Sequence, residues 1–225
     1  MTNSKSQASL PSTPPLKIDI VSDVVCPWCV IGYRQLAQAL ESTNTAYEIH
    51  WHPFELNPNL AGEGQNLREH VAEKYGVSDE ESQQSRDRMQ AAGSEVGFSF
   101  NFNDDSRIYN TFNLHQLLHW GKQQNKMHEL KQALFTAHFT NNRDISTVEV
   151  LADIAGEVGL DRATAVAVLA DQRFADDVRK SEQWSQQQGI QSVPAVIFND
   201  RHLIAGAQGV ENYKIILKQL AEMAE

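Results

Sequence analysis

The chain holds two cysteines in 225 residues, and they sit two apart in Cys26-Pro27-Trp28-Cys29. Two thiols at this spacing can interconvert between dithiol and disulfide. The run before them, Ile18-Asp19-Ile20-Val21, reads as a strand, and the run after them reads as a helix. The first turn of a helix presents unpaired N–H groups and the positive end of the macrodipole, both of which favour an anion. Cys26 is therefore expected to be exposed, to titrate below the free thiol value of about 8.5 and to attack first. Cys29, on the same turn and next to Val30 and Ile31, is expected to be shielded and to resolve the mixed disulfide. Pro27 fits at the first helical position, where its missing N–H is harmless. A structural zinc site needs four nitrogen or sulfur ligands, and the chain has no second cysteine pair; His50 and His52 lack the usual spacing, so no metal and no other cofactor is expected. A structural disulfide closing so short a loop removes little entropy from the unfolded chain.

The elements that must position this pair follow from periodicity. Leu16 to Val21 alternates and β-branches as a strand buried on both faces. Val30, Ile31, Tyr33, Leu36, Ala37 and Leu40 recur at helical spacing, and Tyr47, Ile49 and Trp51 share one face of a second strand. Strand, helix and strand make a right-handed unit with parallel strands, ended by Pro53 and Pro58. From 59 to 173 the period is helical. Asn66 caps a helix closing at Gly76; Ser78 with Glu81, and Ser146 with Glu149, form capping-box patterns. Phe112, Leu114, Leu117 and Leu118 make an apolar stripe behind Asn110, Leu130, Leu134 and Phe135 another. Asp161 opens a short helix, and a polar helix from Phe174 ends at Gly189. Pro194 to Phe198 and His202 to Ala205 form a hairpin around Asn199-Asp200, followed by a helix carrying Tyr213, Ile216, Leu217 and Leu220. The fold class is α/β: β-α-β, then α-β-β-α, separated by an all-helical insertion. The division is a flexible tail at 1–16, a first part at 17–58, the insertion at 59–173 and a second part at 174–225.

At 41% hydrophobic and 21% charged residues the composition is that of a globular protein. The formal charge of −10 argues against nucleic acid or an anionic membrane surface, which demand basic patches. No run has the apolar length of a transmembrane helix. Met1 to Pro15 lacks the apolar segment of a secretory signal, so the cytoplasm is the expected compartment.

The motifs around the pair carry a family likeness. Ser22 to Cys29, His52 to Pro58, Asn110-Thr111-Phe112 with His115, Gly189 to Pro194, and Gly206-Ala207-Gln208, in this order and spacing, resemble the DsbA-like thioredoxin-fold family, most of all its FrnE-type branch. The resemblance runs from about Lys17 to the C-terminus. It implies dithiol–disulfide oxidoreductase or isomerase activity on protein disulfides or small thiols, glutathione among them. It also implies a cis Val193–Pro194 bond facing the cysteines, with the Val193 backbone free to pair with a substrate segment, and it places His115 on a cleft between insertion and redox domain. Phe54, Leu56 and Asn57 are expected to line that cleft, and Trp28 to contact substrate. Strongly oxidising members carry histidine where Trp28 stands, so a less oxidising pair is expected here. Asp23, three residues before Cys26, is placed to relay a proton or to cap the loop. Kappa-type glutathione transferases and 2-hydroxychromene-2-carboxylate isomerases share the architecture but carry serine at the position of Cys26; a glutathione-dependent transferase or isomerase is the alternative enzymatic reading. A binding module that holds unfolded chains through Trp28 and Phe54 is the non-enzymatic one. The oligomeric state has no signature in the sequence.

Overall fold

The computed structural model describes residues 14–223. The sheet is built from β1 (Leu16–Ser22), which leads through α1 (Pro27–Ser42) to β2 (Tyr47–Pro53). These strands pair in parallel, from Leu16 opposite Tyr47 to Ser22 opposite Pro53. The chain then leaves the sheet through β3 (Gln65–Asn66), α2 (Leu67–Tyr75), α3 (Asp79–Glu95) and β4 (Arg107–Ile108). It continues as α4 (Phe112–Gln123) and α5 (Met127–Phe135), which runs into a five-residue π turn at Thr136–Thr140. After α6 (Val148–Glu157), α7 (Arg162–Asp171) and α8 (Ala175–Gln187) it returns as β5 (Ala195–Phe198) and β6 (His202–Ala205), and α9 (Val210–Glu222) closes the order. The sheet runs β2-β1-β5-β6, with β5 antiparallel to both its neighbours. This is the thioredoxin arrangement.

Alternation along β1 splits the packing. Ile18 and Ile20 join Leu36 and Leu40 of α1 and Tyr213 and Leu217 of α9 on one face. Val21 points the other way, to Ala195, Ile197 and Ile190. A third and largest cluster joins α4, α5, α6 and α7 through residues such as Leu117, Leu134 and Leu151. It also takes in Val24, Cys26, Cys29 and Val30, so the start of α1 is packed into the core of the insertion.

Some sequence expectations need correction. Of the tail assigned to 1–16, residues 1–13 lie outside the described residues, and Leu16 already belongs to β1. The insertion is not wholly helical, since β3 and β4 pair antiparallel; two residues per strand leave no periodic signal. Ser146 is not the cap of α6. Its hydroxyl bonds Asp144 at 2.5 Å, and Thr147 accepts from the Val150 N–H instead. Elsewhere the caps agree: Asn66 accepts from Arg68 and Glu69, Ser78 and Glu81 form a full capping box, and Asp161 accepts from Thr164.

Candidate active site

Cys26 is the N-cap of α1, Pro27 follows it directly, and the Cys29 N–H donates to the Cys26 carbonyl at 3.1 Å. The two cysteines are free thiols. The Val193–Pro194 peptide is cis, and the Cys26 thiol donates to the Val193 carbonyl at 3.8 Å. Gly32 on α1 makes this closeness possible: a Cβ there would stand 3.2 Å from Pro194 Cγ and 3.5 Å from Ala207. Trp28 is 42% exposed, whereas Cys26 is 4% and Cys29 1% exposed. The expectation of an exposed Cys26 is thus wrong. The Val193 loop covers its sulfur, and Trp28 takes the surface.

The electrostatics also depart from expectation. The Cys26 thiol is held well above its ordinary value, by its hydrogen bond with Cys29, by burial, and by the charges of Cys29 and Asp23. The Cys29 N–H pulls the other way. The macrodipole is worth about 0.3–2 kcal/mol at most. Asp23 is in fact completely buried, where charge reaches further. Burial by itself raises the Asp23 carboxyl, but His115, the Leu56 N–H and Lys131 outweigh it and hold it below the ordinary range. Its Oδ2 accepts from Leu56 N–H at 2.7 Å, and its Oδ1 lies 3.6 Å from His115 Nε2. That nitrogen is 3.0 Å from the Phe54 carbonyl, which only accepts, so Nε2 carries the proton.

In front of Cys26 opens a cleft of about 790 Å³ between the first turn of α1 and the α2–α3 hairpin. Trp28, Leu56, Asn57 and Val193 line it, Leu56 and Asn57 being two of the residues expected on a cleft wall. Two expected residues are not on its wall. Phe54 is half-buried beside Trp184 and Val193 against the Val21 cluster, and its carbonyl anchors His115. His115 is turned to the rear of the turn and lines a separate, smaller cavity there. The front wall carries Lys74, Arg88, Arg107 and Arg143 against Glu81 and Asp105, so a chain of charge −10 surrounds a basic cleft. His138 also lines it. The π turn presents this imidazole, and burial pushes its pKa down to about 4, which keeps it neutral.

Lys131 and Gly32 were missed in the sequence. Lys131 had a signal. Met127, Leu130, Lys131, Leu134 and Phe135 recur at the spacing of one helix face, so the lysine stands inside an apolar stripe. It is 1% exposed, and its ammonium sits over the rings of Trp51 and Phe135. Burial pushes it down to about 8, although the charges of Cys29, Asp23 and Cys26 work against that.

Residues 17–218 match the DSBA-like thioredoxin domain family. The fold superposes on the probable DsbA oxidoreductase SCO1869 of Streptomyces coelicolor with a TM-score of 0.87 and 31% identity, covering 91% of this chain and 89% of that one. The uncharacterized protein YwbO of Bacillus subtilis (strain 168) is 28% identical over 199 residues, 88% of this chain and 93% of YwbO. The cytosolic disulfide reductase DsbM of Pseudomonas aeruginosa, solved with glutathione, shares the fold at a TM-score of 0.63 and 14% identity, covering 92% of this chain and 99% of DsbM.

Proposed function

The chain belongs to the DSBA-like thioredoxin domain family, and from that premise we propose that it is a thiol–disulfide oxidoreductase that works as a reductase of small anionic or peptide disulfides in the cytoplasm. The observation that carries the reading is the free dithiol at the start of α1, with Cys26 on an open cleft and the Val193 carbonyl beside it. Cys26 loses its proton to the cleft, and its thiolate attacks one sulfur of the substrate disulfide. A Cys26–substrate disulfide forms and the first substrate thiol leaves. The Cys29 thiolate then attacks Cys26 Sγ, which closes the Cys26–Cys29 disulfide and frees the second thiol. Two electrons pass to the substrate, and an external thiol restores the dithiol.

Direction follows from electrostatics. Strong oxidants of this kind stabilise their reduced form. Here the hydrogen bond with Cys29 and burial keep the Cys26 thiol protonated and Trp28 brings no charge. The expected reduction potential is therefore nearer the thioredoxin value of about −270 mV than about −120 mV. The basic front wall supports an anionic partner, and glutathione is the obvious one to try, since DsbM was solved with it. The test is insulin or oxidised glutathione reduction with dithiothreitol, alongside redox equilibration against glutathione. Equal rates for wild type and Cys26→Ser overturn the proposal, and a potential near −120 mV overturns the direction.

A further inference from the structure

The α2–α3 hairpin forms one wall of the front cleft, and the first turn of α1, with Cys26 and Trp28, forms the other. Leu67, Val71 and Tyr75 stand four residues apart, so they make one row along α2, and all three line the cleft. α2 has no buried residue, which leaves the cleft side of this apolar row in contact with water. Tyr75 at its end is 63% exposed, and Trp28 on the opposite wall is 42% exposed. Two large apolar surfaces thus face one cleft beside the reacting sulfur. We propose that the α2–α3 hairpin is a lid that closes over a substrate joined to Cys26, bringing the Leu67-Val71-Tyr75 row down toward Trp28 and keeping solvent thiols from the mixed disulfide until Cys29 attacks. This rests on the dithiol mechanism above and adds to it a moving part.

The hairpin is fastened at its base and along one edge. At the base, β3 runs straight into α2 and pairs antiparallel with β4, and Arg107 donates to the Glu63 and Gly64 carbonyls at 3.0 Å each. The far end of α3 is held by close packing. A Cβ on Gly93 would stand 2.5 Å from the Phe100 ring and 2.9 Å from the Phe98 carbonyl. Arg34 of α1 donates to the Gly97 carbonyl at 3.3 Å and lies over the Phe98 ring, which ties this end to the body. Along the edge, His70 Nε2 is 3.0 Å from Asn57 Oδ1, and the Lys74 ammonium donates to the same oxygen at 2.6 Å and to the Leu56 carbonyl at 3.0 Å. His70 and Lys74 form the row of α2 next to the apolar one. The helix can therefore turn about its bonded row and lower its apolar row into the cleft with these bonds kept. An element with few buried apolar contacts opens and closes at little cost. A substrate in the cleft supplies the missing surface, because closure then removes the apolar row and Trp28 from water together.

The test uses the full chain carrying Cys29→Ser, in which Ellman's reagent leaves a nitrothiobenzoate disulfide on Cys26. Mercaptoethanol thiolate then attacks Cys26 Sγ, a Cys26–mercaptoethanol disulfide forms, and nitrothiobenzoate leaves and is read by its absorbance. Tyr75→Ser in this background is expected to speed that release by about fivefold, as the loss of a gating cover would. Trp28→Ala should speed it as much, and the two together no further, since each removes one side of the same contact. A second measurement leaves the lid unaltered and stands should Tyr75→Ser disturb folding. Amide hydrogen exchange over 67–75 is compared between the Cys29→Ser chain with and without its adduct, and the adduct should slow it about tenfold. Exchange that the adduct leaves unchanged overturns the proposal, as does release at the parent rate in both Tyr75→Ser and Trp28→Ala. Failure of Cys29→Ser to form any adduct at Cys26 overturns instead the dithiol reading beneath it.

Discussion

The two sides of the first turn of α1 are built on opposite principles. The front is a wide cleft whose α2 roof has no buried residue and whose walls carry Lys74, Arg88, Arg107 and Arg143. The rear is packed with buried groups that hold one another in place, Asp23, His115 and Lys131 among them, beside a small cavity that His115 and Lys131 help to line. One helical turn thus has an open, cation-lined cleft in front and a buried, mutually bonded set of charged groups behind. The difference teaches where each kind of change will be felt. Alterations in front should act on affinity and substrate choice, and alterations behind should act on stability, rate and pH dependence.

The largest effect tests the turn that both sides share. Cys26→Ser should abolish disulfide reduction, while Cys29→Ser should keep the attack and lose the release, accumulating mixed disulfides visible on non-reducing gels. If Cys26→Ser accumulates adducts and Cys29→Ser does not, the roles are reversed.

At the rear, Lys131 is pushed down to about 8 from its ordinary 10.5. Between these values the unfolded chain binds more protons than the fold, so this group's contribution makes stability rise with pH, by on the order of 3 kcal/mol at most, and leaves it flat below pH 8. Urea unfolding at pH 7, 8, 9 and 10 should show this slope in the difference between wild type and Lys131→Met. A difference constant across the series would show that the buried amine keeps its ordinary pKa in the fold.

In front, Arg88→Glu should raise the KM for oxidised glutathione about fivefold at low salt, with kcat held and the effect fading as salt is added. A neutral disulfide should show no change; an equal loss for both would mean a shape effect. The smallest effect belongs to Trp28→Ala, for which we expect a loss of about threefold in kcat/KM on peptide disulfides and a stability change within about 0.5 kcal/mol, as for an exposed residue. Urea midpoints beside initial rates check it.

The front was more legible in the sequence than the rear. Cys26, Cys29 and Trp28 announce themselves by type and spacing, and the strands and helices that hold them follow from short-range periodicity and caps. Asp23 and His115 were noticed, but whether a residue faces a cleft or a core depends on how the insertion docks, and that is a long-range fact. The same blindness produced the error about Cys26. Its helix position was right, yet the Val193 loop that covers it comes 167 residues later. Lys131 shows the opposite case, a local signal in plain view that was passed over because lysines are rarely buried.

That span of 167 residues has a consequence for how the molecule is made. The strand leading to the cysteines pairs with β2 early in synthesis, but its other neighbour, β5, leaves the ribosome only after the whole insertion. Contacts of such high order form slowly and late. For most of its synthesis the nascent chain therefore carries two cysteines on a half-finished sheet, without the loop that later covers them. The finished site is a product of the last stage of folding, so a chain stalled before β5 should present both thiols to alkylating reagents at the rates of free cysteine.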